Sequence, residues 1–140
     1  MATVSGVNYT KQTNTPADMV LPRDSHGRVR VMYDTYEAAS VAAGSTIQLF
    51  TIPENARVLD FKIWNDALGS SSTLAFGDAG DVDRLHAATA SSSASIMVPV
   101  IAAINTMAGY TYTAETLISL TTAGASITGT IHVQLTYVVD

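Results

Sequence analysis

From Ile127 to Tyr137 the chain alternates without a break. Ile127, Gly129, Ile131, Val133, Leu135 and Tyr137 interleave with Thr128, Thr130, His132, Gln134 and Thr136. A period of two is that of a pleated strand, whose successive side chains point to opposite faces. At about 3.3 Å per residue, such a strand crosses most of a small domain. One of its faces is apolar, so the fold must supply a second layer to cover it.

The same period recurs upstream. Arg28 to Tyr36 places Val29, Val31 and Tyr33 on one face and Arg28, Arg30 and Asp34 on the other, the pattern of a half-buried strand. Thr46 to Ile52 is a second strand, stopped by Pro53. Arg57 to Trp64 is a third, with Leu59, Phe61 and Ile63 facing in, Asp60 and Lys62 facing out, and Trp64 on the side opposite Leu59. Thr73 to Phe76, Arg84 to Thr89, Gly109 to Thr113 and Glu115 to Thr122 read as shorter strands. Ile96 to Ile104, interrupted by Pro99, fits either a broken buried strand or a short helix. Gly, Ser and Asp turns separate these segments at sandwich spacing. No helix of about 10 residues or more is expected, and no fixed-period repeat occurs. Eight or nine short strands that need both faces managed point to an all-β fold. A jelly-roll-like antiparallel β-sandwich is the first expectation and an immunoglobulin-like sandwich the second.

Residues 1–27 lack this order. They are polar, contain Pro16 and Pro22, and read as an extended N-terminal arm ahead of a sandwich domain at 28–140. Charge divides three residues further on, with Arg28 and Arg30 counted on the N-terminal side. Residues 1–30 hold four cations (Lys11, Arg23, Arg28, Arg30) and two acids, for +2, whereas residues 31–140 hold three cations and ten acids, for −7. An arm of one sign on a body of the other suggests docking on an acidic surface. Met19, Val20 and Leu21 offer the arm an apolar anchor. Across the whole chain only 14% of residues are charged, while 13 Ser, 18 Thr and 20 Ala fill 51 of 140 positions. That surface fits either a Thr-rich sheet face or one partly covered by another protein.

Several chemistries are disfavoured. Without cysteine there is neither a disulfide frame nor a thiolate site. The net charge of −5 argues against bulk nucleic-acid binding. The start Met-Ala-Thr-Val-Ser-Gly has no cationic or apolar leader signature, and the longest apolar run is far short of the roughly 20 residues that span a bilayer. No nucleophile elbow or phosphate-binding loop is present. Asp24-Ser25-His26 is adjacent in sequence, but a triad is defined by spatial roles. Glu37, Glu54 and Glu115 are free to meet anywhere in the fold, so paired carboxylates stay open, but the scarcity of aromatics argues against an enzyme cleft built for sugars. His26, His86 and His132 lie far apart, and His132 sits on the polar face of the last strand. Asp78, Asp81 and Asp83 on a Gly-rich loop offer hard oxygen ligands, but without the EF-hand spacing they read first as a turn. Exposed aromatics at Trp64, Tyr110 and Tyr112 would serve a sugar site if they shared a groove.

The arm from Val20 to Arg28, the segment from Gly44 to Asp60, the Ser/Ala/Thr-rich loops and the Thr-alternating last strand together resemble the small decoration, or cement, proteins of tailed bacteriophages. The resemblance covers nearly the whole chain and rests on no signature motif. It implies a non-enzymatic virion protein with a β-sandwich core and no cofactor. It also implies a homotrimer, made in the host cytoplasm, that binds the major capsid protein on the outer capsid surface and steadies its contacts. Lys11, Met19, Val20, Leu21, Arg23, Arg28 and Arg30 are the expected capsid-binding residues, drawn from the charge and apolar pattern of the arm. A carbohydrate- or receptor-binding module of a head fibre or tail is the alternative.

Overall fold

The computed structural model describes residues 5, 7–14, 16, 19, 27–99, 107 and 109–139. Eight strands are present among them: β1 (Val29–Val41), β2 (Thr46–Ile52), β3 (Ala56–Asn65), β4 (Thr73–Asp78), β5 (His86–Ala90), β6 (Ser95–Met97), β7 (Thr116–Ala123) and β8 (Ile127–Val139). They form two four-stranded sheets. Sheet A has the order β1-β8-β3-β6 and sheet B the order β2-β7-β4-β5, with every pairing antiparallel. Successive strands fall alternately on the two sheets in the first half, and the second half returns beside them. This is the paired Greek-key order of a jelly roll, so the first topology expected from the sequence is the one present.

The alternation in β8 does what its period requires. Ile131, Val133 and Leu135 are fully buried, while His132, Gln134 and Thr136 are half-exposed on the outer face. From β3, Phe61 and Ile63 join them. From sheet B come Ile47, Ile52, Leu74, Phe76, Ile118 and Leu120. Phe61 and Phe76 meet across the two layers at 5.3 Å between ring centres. Each such fully buried side chain stabilises the fold by about 1.5–3 kcal/mol relative to exposure.

The small hydroxyl residues have a use that alternation alone does not show. Ser72 and Ser91 are buried and hydrogen-bond each other at 2.9 Å, and Ser72 Oγ also donates to Gly69 O at 2.7 Å. Buried Thr122 Oγ1 donates to Ala42 O at 3.0 Å. These bonds satisfy loop carbonyls that water would otherwise have to reach. Where the loops meet, Gly124 adopts φ +81°, and a Cβ there would lie 1.9 Å from Ser71 O. Both the backbone angle and the space therefore demand glycine.

Four expectations need correction. On β1 the faces are reversed. Val29, Val31 and Tyr33 are 57%, 55% and 59% exposed, whereas Ala38 is buried and Met32 and Tyr36 pack against the core. Both faces of this strand carry apolar residues, so period alone did not fix which one turns inward. On β3, Leu59 is 40% exposed because Val58 pairs with Tyr137 and Asp60 with Thr136, leaving Leu59 as the extra residue of a bulge. Within the arm, Val7–Thr13 is a helix, α1, and so that part is not extended. Gly109 to Thr113 is no strand: Thr111 makes a single bridge to Arg57. Of the ambiguous segment 96–104, residues 96–97 close β6, and residues 100–104 lie outside the described residues.

Candidate functional site

The acidic turn after β4 is built around one carboxylate. Gly77 lets the backbone of residues 81–82 fold over the strand end, since a Cβ there would meet Asp81 O at 2.3 Å. The turn directs Asp78 inward, where it is 4% exposed. Its Oδ1 accepts the N–H of Gly80 at 2.9 Å and of Asp81 at 3.1 Å, an Asx-turn pattern. Its Oδ2 accepts Arg84 Nε at 2.6 Å and the Tyr112 hydroxyl at 3.2 Å. Arg84 lies over the Tyr110 ring at 4.6 Å, and Tyr110 meets Tyr112 edge-on at 4.9 Å. The segment carrying both tyrosines is pinned to the start of β3. Asn55 N–H donates to Tyr112 O, Tyr112 N–H to Ala56 O, and Val58 N–H to Tyr110 O.

Electrostatics follow from this geometry. Burial pushes the Asp78 carboxyl up, but the hydrogen bond from Arg84, the Gly80 N–H and the Arg84 charge outweigh it, and the net pKa is lowered. Burial and the adjacent Asp78 push the Tyr112 hydroxyl well above its ordinary value. The exposed Asp83 is raised by a hydrogen bond shared with Asp81. Asp78 is thus already paired, and it does not converge with Asp81 and Asp83 on one point. No group of three or more His, Asp or Glu among the described residues is placed to hold a metal ion. A cleft of about 370 Å³ opens beside the clasp, bordered by Arg84, Tyr110 and Glu115. The arrangement ties the β4–β5 turn to the 110–112 segment.

The outer face of sheet A is the second feature. Register places Thr35 beside His132, His132 beside Trp64, and Trp64 beside Ile96, one row across all four strands. Tyr33 Oη lies 2.7 Å from His132 Nδ1, and Thr35 Oγ1 lies 3.0 Å from the same nitrogen. A shallow cavity of about 340 Å³ lies between Trp64, Ile96 and His132. Trp64 is half-buried on this face, as parity requires. The three aromatics considered for a sugar groove are not together: Trp64 is on the sheet face, and Tyr110 and Tyr112 are in the Arg84 clasp.

His86 is buried, with its ring 5.3 Å from that of Phe61. Its Nε2 lies 3.1 Å from Thr89 Oγ1, and that hydroxyl donates to Ala87 O at 2.9 Å. The proton therefore sits on Nε2, and Nδ1 is a buried acceptor without a partner among the described residues. Burial lowers the pKa of this imidazole. Nothing in the sequence around His86 marked it as buried, because its strand neighbours Ala87 to Ala90 are exposed.

Of the expected arm residues, Lys11 lies in the last turn of α1, Met19 is 77% exposed, Arg28 precedes β1 and Arg30 is on it. Val20, Leu21 and Arg23 lie outside the described residues, as do Asp24, Ser25 and His26. Glu37 bonds the Thr130 hydroxyl on the outer face of sheet A, while Glu115 borders the Arg84 cleft, so these two acids do not form a pair.

No family model and no curated protein matches the chain. Solved structures do share its fold. A chain of the cyanophage Pam1 capsid asymmetric unit aligns at 21% identity and TM-score 0.69, over 91% of this chain and 97% of that one. A chain of the Ralstonia phage GP4 capsid aligns at 20% identity and TM-score 0.62, over 81% and 86%. A chain of the acidic stable capsid of Helicobacter pylori bacteriophage KHP30 aligns at 11% identity and TM-score 0.59, over 79% and 87%. The jelly-roll sandwich described above is thus a fold also found in chains from three phage capsids.

Proposed function

We propose that this chain is a non-enzymatic structural protein of a phage virion, seated on the outer surface of the capsid against the major capsid protein. The observation that carries the reading is the end-to-end likeness to the Pam1 capsid chain, which leaves 3% of that chain and 9% of this one unmatched by 97% and 91% coverage. The composition agrees with it: residues 31–140, at −7 and poor in charge for their size, follow a first 30 residues at +2. In this reading the protein is a decoration protein that assembles as a trimer and clamps neighbouring capsid subunits. Lys11, Arg23, Arg28 and Arg30 meet an acidic shell, and the apolar Met19, Val20 and Leu21 of the arm anchor it. Many identical weak contacts on one shell add up to firm attachment.

Add-back to capsids tests this. Full-length protein mixed with capsids that lack it should sediment with them to saturation at a fixed ratio to the major capsid protein. Protein lacking residues 1–27 should keep its β-sheet circular dichroism and bind at least tenfold more weakly. Equal binding by the truncated protein would overturn the role of the arm. No binding by either form would overturn the reading itself.

A further inference from the structure

The open edge of β1 is built to pair with a second copy of itself. Asp66 N–H donates to Thr130 O, so the even-numbered residues of β8 turn their backbone bonds toward β3 and the odd-numbered ones toward β1. Their partners on β1 are the even-numbered residues, Arg30 with Tyr137 through Tyr36 with Ile131. Residues 29, 31, 33 and 35 therefore turn their N–H and C=O groups to the side away from β8. No strand among the described residues pairs there. The Thr35 N–H on that side is held by Asp34 Oδ1 at 2.8 Å.

This edge lacks the usual protections. It is 13 residues long, its described strand contains no proline or lysine, and its one bulge lies at the far end, between Ala38 and Val41. Its outer face shows Val29, Val31 and Tyr33, each more than half exposed. A long apolar edge with free backbone groups is a template for another strand.

We infer that two copies of this protein join β1 to β1 in antiparallel register about a twofold axis at Met32. Charge and shape select that partner and that register. With Met32 opposite Met32, each Arg30 faces the Asp34 of the other copy, so two ion pairs form at once. Val31 lies opposite Tyr33 and Val29 opposite Thr35, which makes one continuous apolar strip on the outer face. The residues brought together as hydrogen-bonded pairs, 31 with 33 and 29 with 35, are those whose backbone groups point to the open edge. As Asp34 turns to Arg30, it releases the Thr35 N–H to the new strand. The two sheets A become a single eight-stranded sheet. This contact uses neither residues 1–27 nor the Arg84 clasp, although it engages Arg30, so it adds pairwise links between copies to the threefold assembly proposed above.

The test uses the full-length protein in solution. Light scattering after size exclusion should give a species with an even number of copies, a dimer or a pair of trimers. Arg30→Glu and Asp34→Lys should each weaken the pair about tenfold, since each replaces two cross-strand attractions with two repulsions. Their combination should restore it. The chain has no cysteine, so Met32→Cys gives a clean probe. Its sulfurs should link two copies covalently under mild oxidation, because residues opposite each other on paired strands lie within disulfide range. Unchanged circular dichroism, and a urea midpoint unchanged at concentrations too dilute for pairing, confirm that the charge variants stay folded. A monomer, an isolated trimer, or a double variant no better than the single ones would overturn the inference. Failure here would leave capsid add-back untouched, and a β1 pair without capsid binding would sink only the proposed function.

Discussion

Replacing Asp78 with Asn should be among the most damaging single-atom exchanges in the body. The carboxylate is 4% exposed and accepts bonds from Gly80 N–H, Asp81 N–H, Arg84 Nε and the Tyr112 hydroxyl. The amide removes the charge opposite Arg84 and supplies a donor where only donors converge. Removing one member of a buried, hydrogen-bonded pair costs about 3–5 kcal/mol. Arg84 remains 22% exposed, so water recovers part of its loss and the low end, about 3 kcal/mol, applies. With a urea slope of about 1.5–2 kcal/mol per molar for a domain of this size, the midpoint should fall by roughly 1.5–2 M. Urea titrations followed by circular dichroism, at fixed protein concentration because association also stabilises, would measure this. Asp83→Asn is the control. That acid is exposed and its pKa is raised by Asp81, so its loss should change the midpoint little or increase it slightly. Acid titration gives an independent check. The folded Asp78 pKa lies below 3.8, so the unfolded chain takes up that proton first. The stability that this carboxylate contributes is present above about pH 3.8 and is lost as pH falls through the folded value. Asp78→Asn should flatten that part of the profile. A midpoint for Asp78→Asn equal to that of Asp83→Asn would refute the clasp.

Other outcomes follow from the same contacts. His86 is neutral in both states above about pH 6.5, and its folded pKa is lowered, so the unfolded chain gains a proton first on acidification. The urea midpoint should therefore drop between pH 7 and pH 5, and His86→Leu should remove much of that slope. Gly124→Ala meets Ser71 O at φ +81° and should lower thermal stability by more than about 1 kcal/mol, visible in calorimetry. On β3, Phe61→Ala should cost about 3–5 kcal/mol, while Leu59→Ala, two residues earlier on the bulge, should stay under about 1 kcal/mol. Equal losses from the two would place Leu59 in the core and contradict the register.

How far sequence alone reached depended on whether a feature was local. β8 was legible because its alternation is unbroken and only one face is apolar, whereas β2 read as a strand although a bulge between Gln48 and Phe50 moves its buried side from the parity of Ile47 to that of Ile52. β1 has Met32, Tyr36 and Ala38 on one face and Val29, Val31 and Tyr33 on the other, so its period identified a strand without its orientation. The bulge at Leu59 shifts the inward face by one residue, and nothing in Arg-Val-Leu-Asp-Phe signals that shift. The Asp78 turn was legible from its Gly and Asp residues, but its function as a clasp required Tyr112, 34 residues away, and only the fold brings them together. The Ser and Thr excess was read as outward Thr and loop Ser. Ser72, Ser91 and Thr122 add a third use, as buried residues that satisfy loop backbone. The row Thr35–His132–Trp64–Ile96 is a product of register and has no counterpart in sequence spacing.

The most direct test of the account is to count this protein in gradient-purified virions by quantitative mass spectrometry, before and after protease is added from outside. The account predicts a constant copy number relative to the major capsid protein, with the chain open to external protease while packaged DNA stays protected. Its absence from purified particles, or its presence only after the shell is broken, would contradict placement on the outer capsid surface.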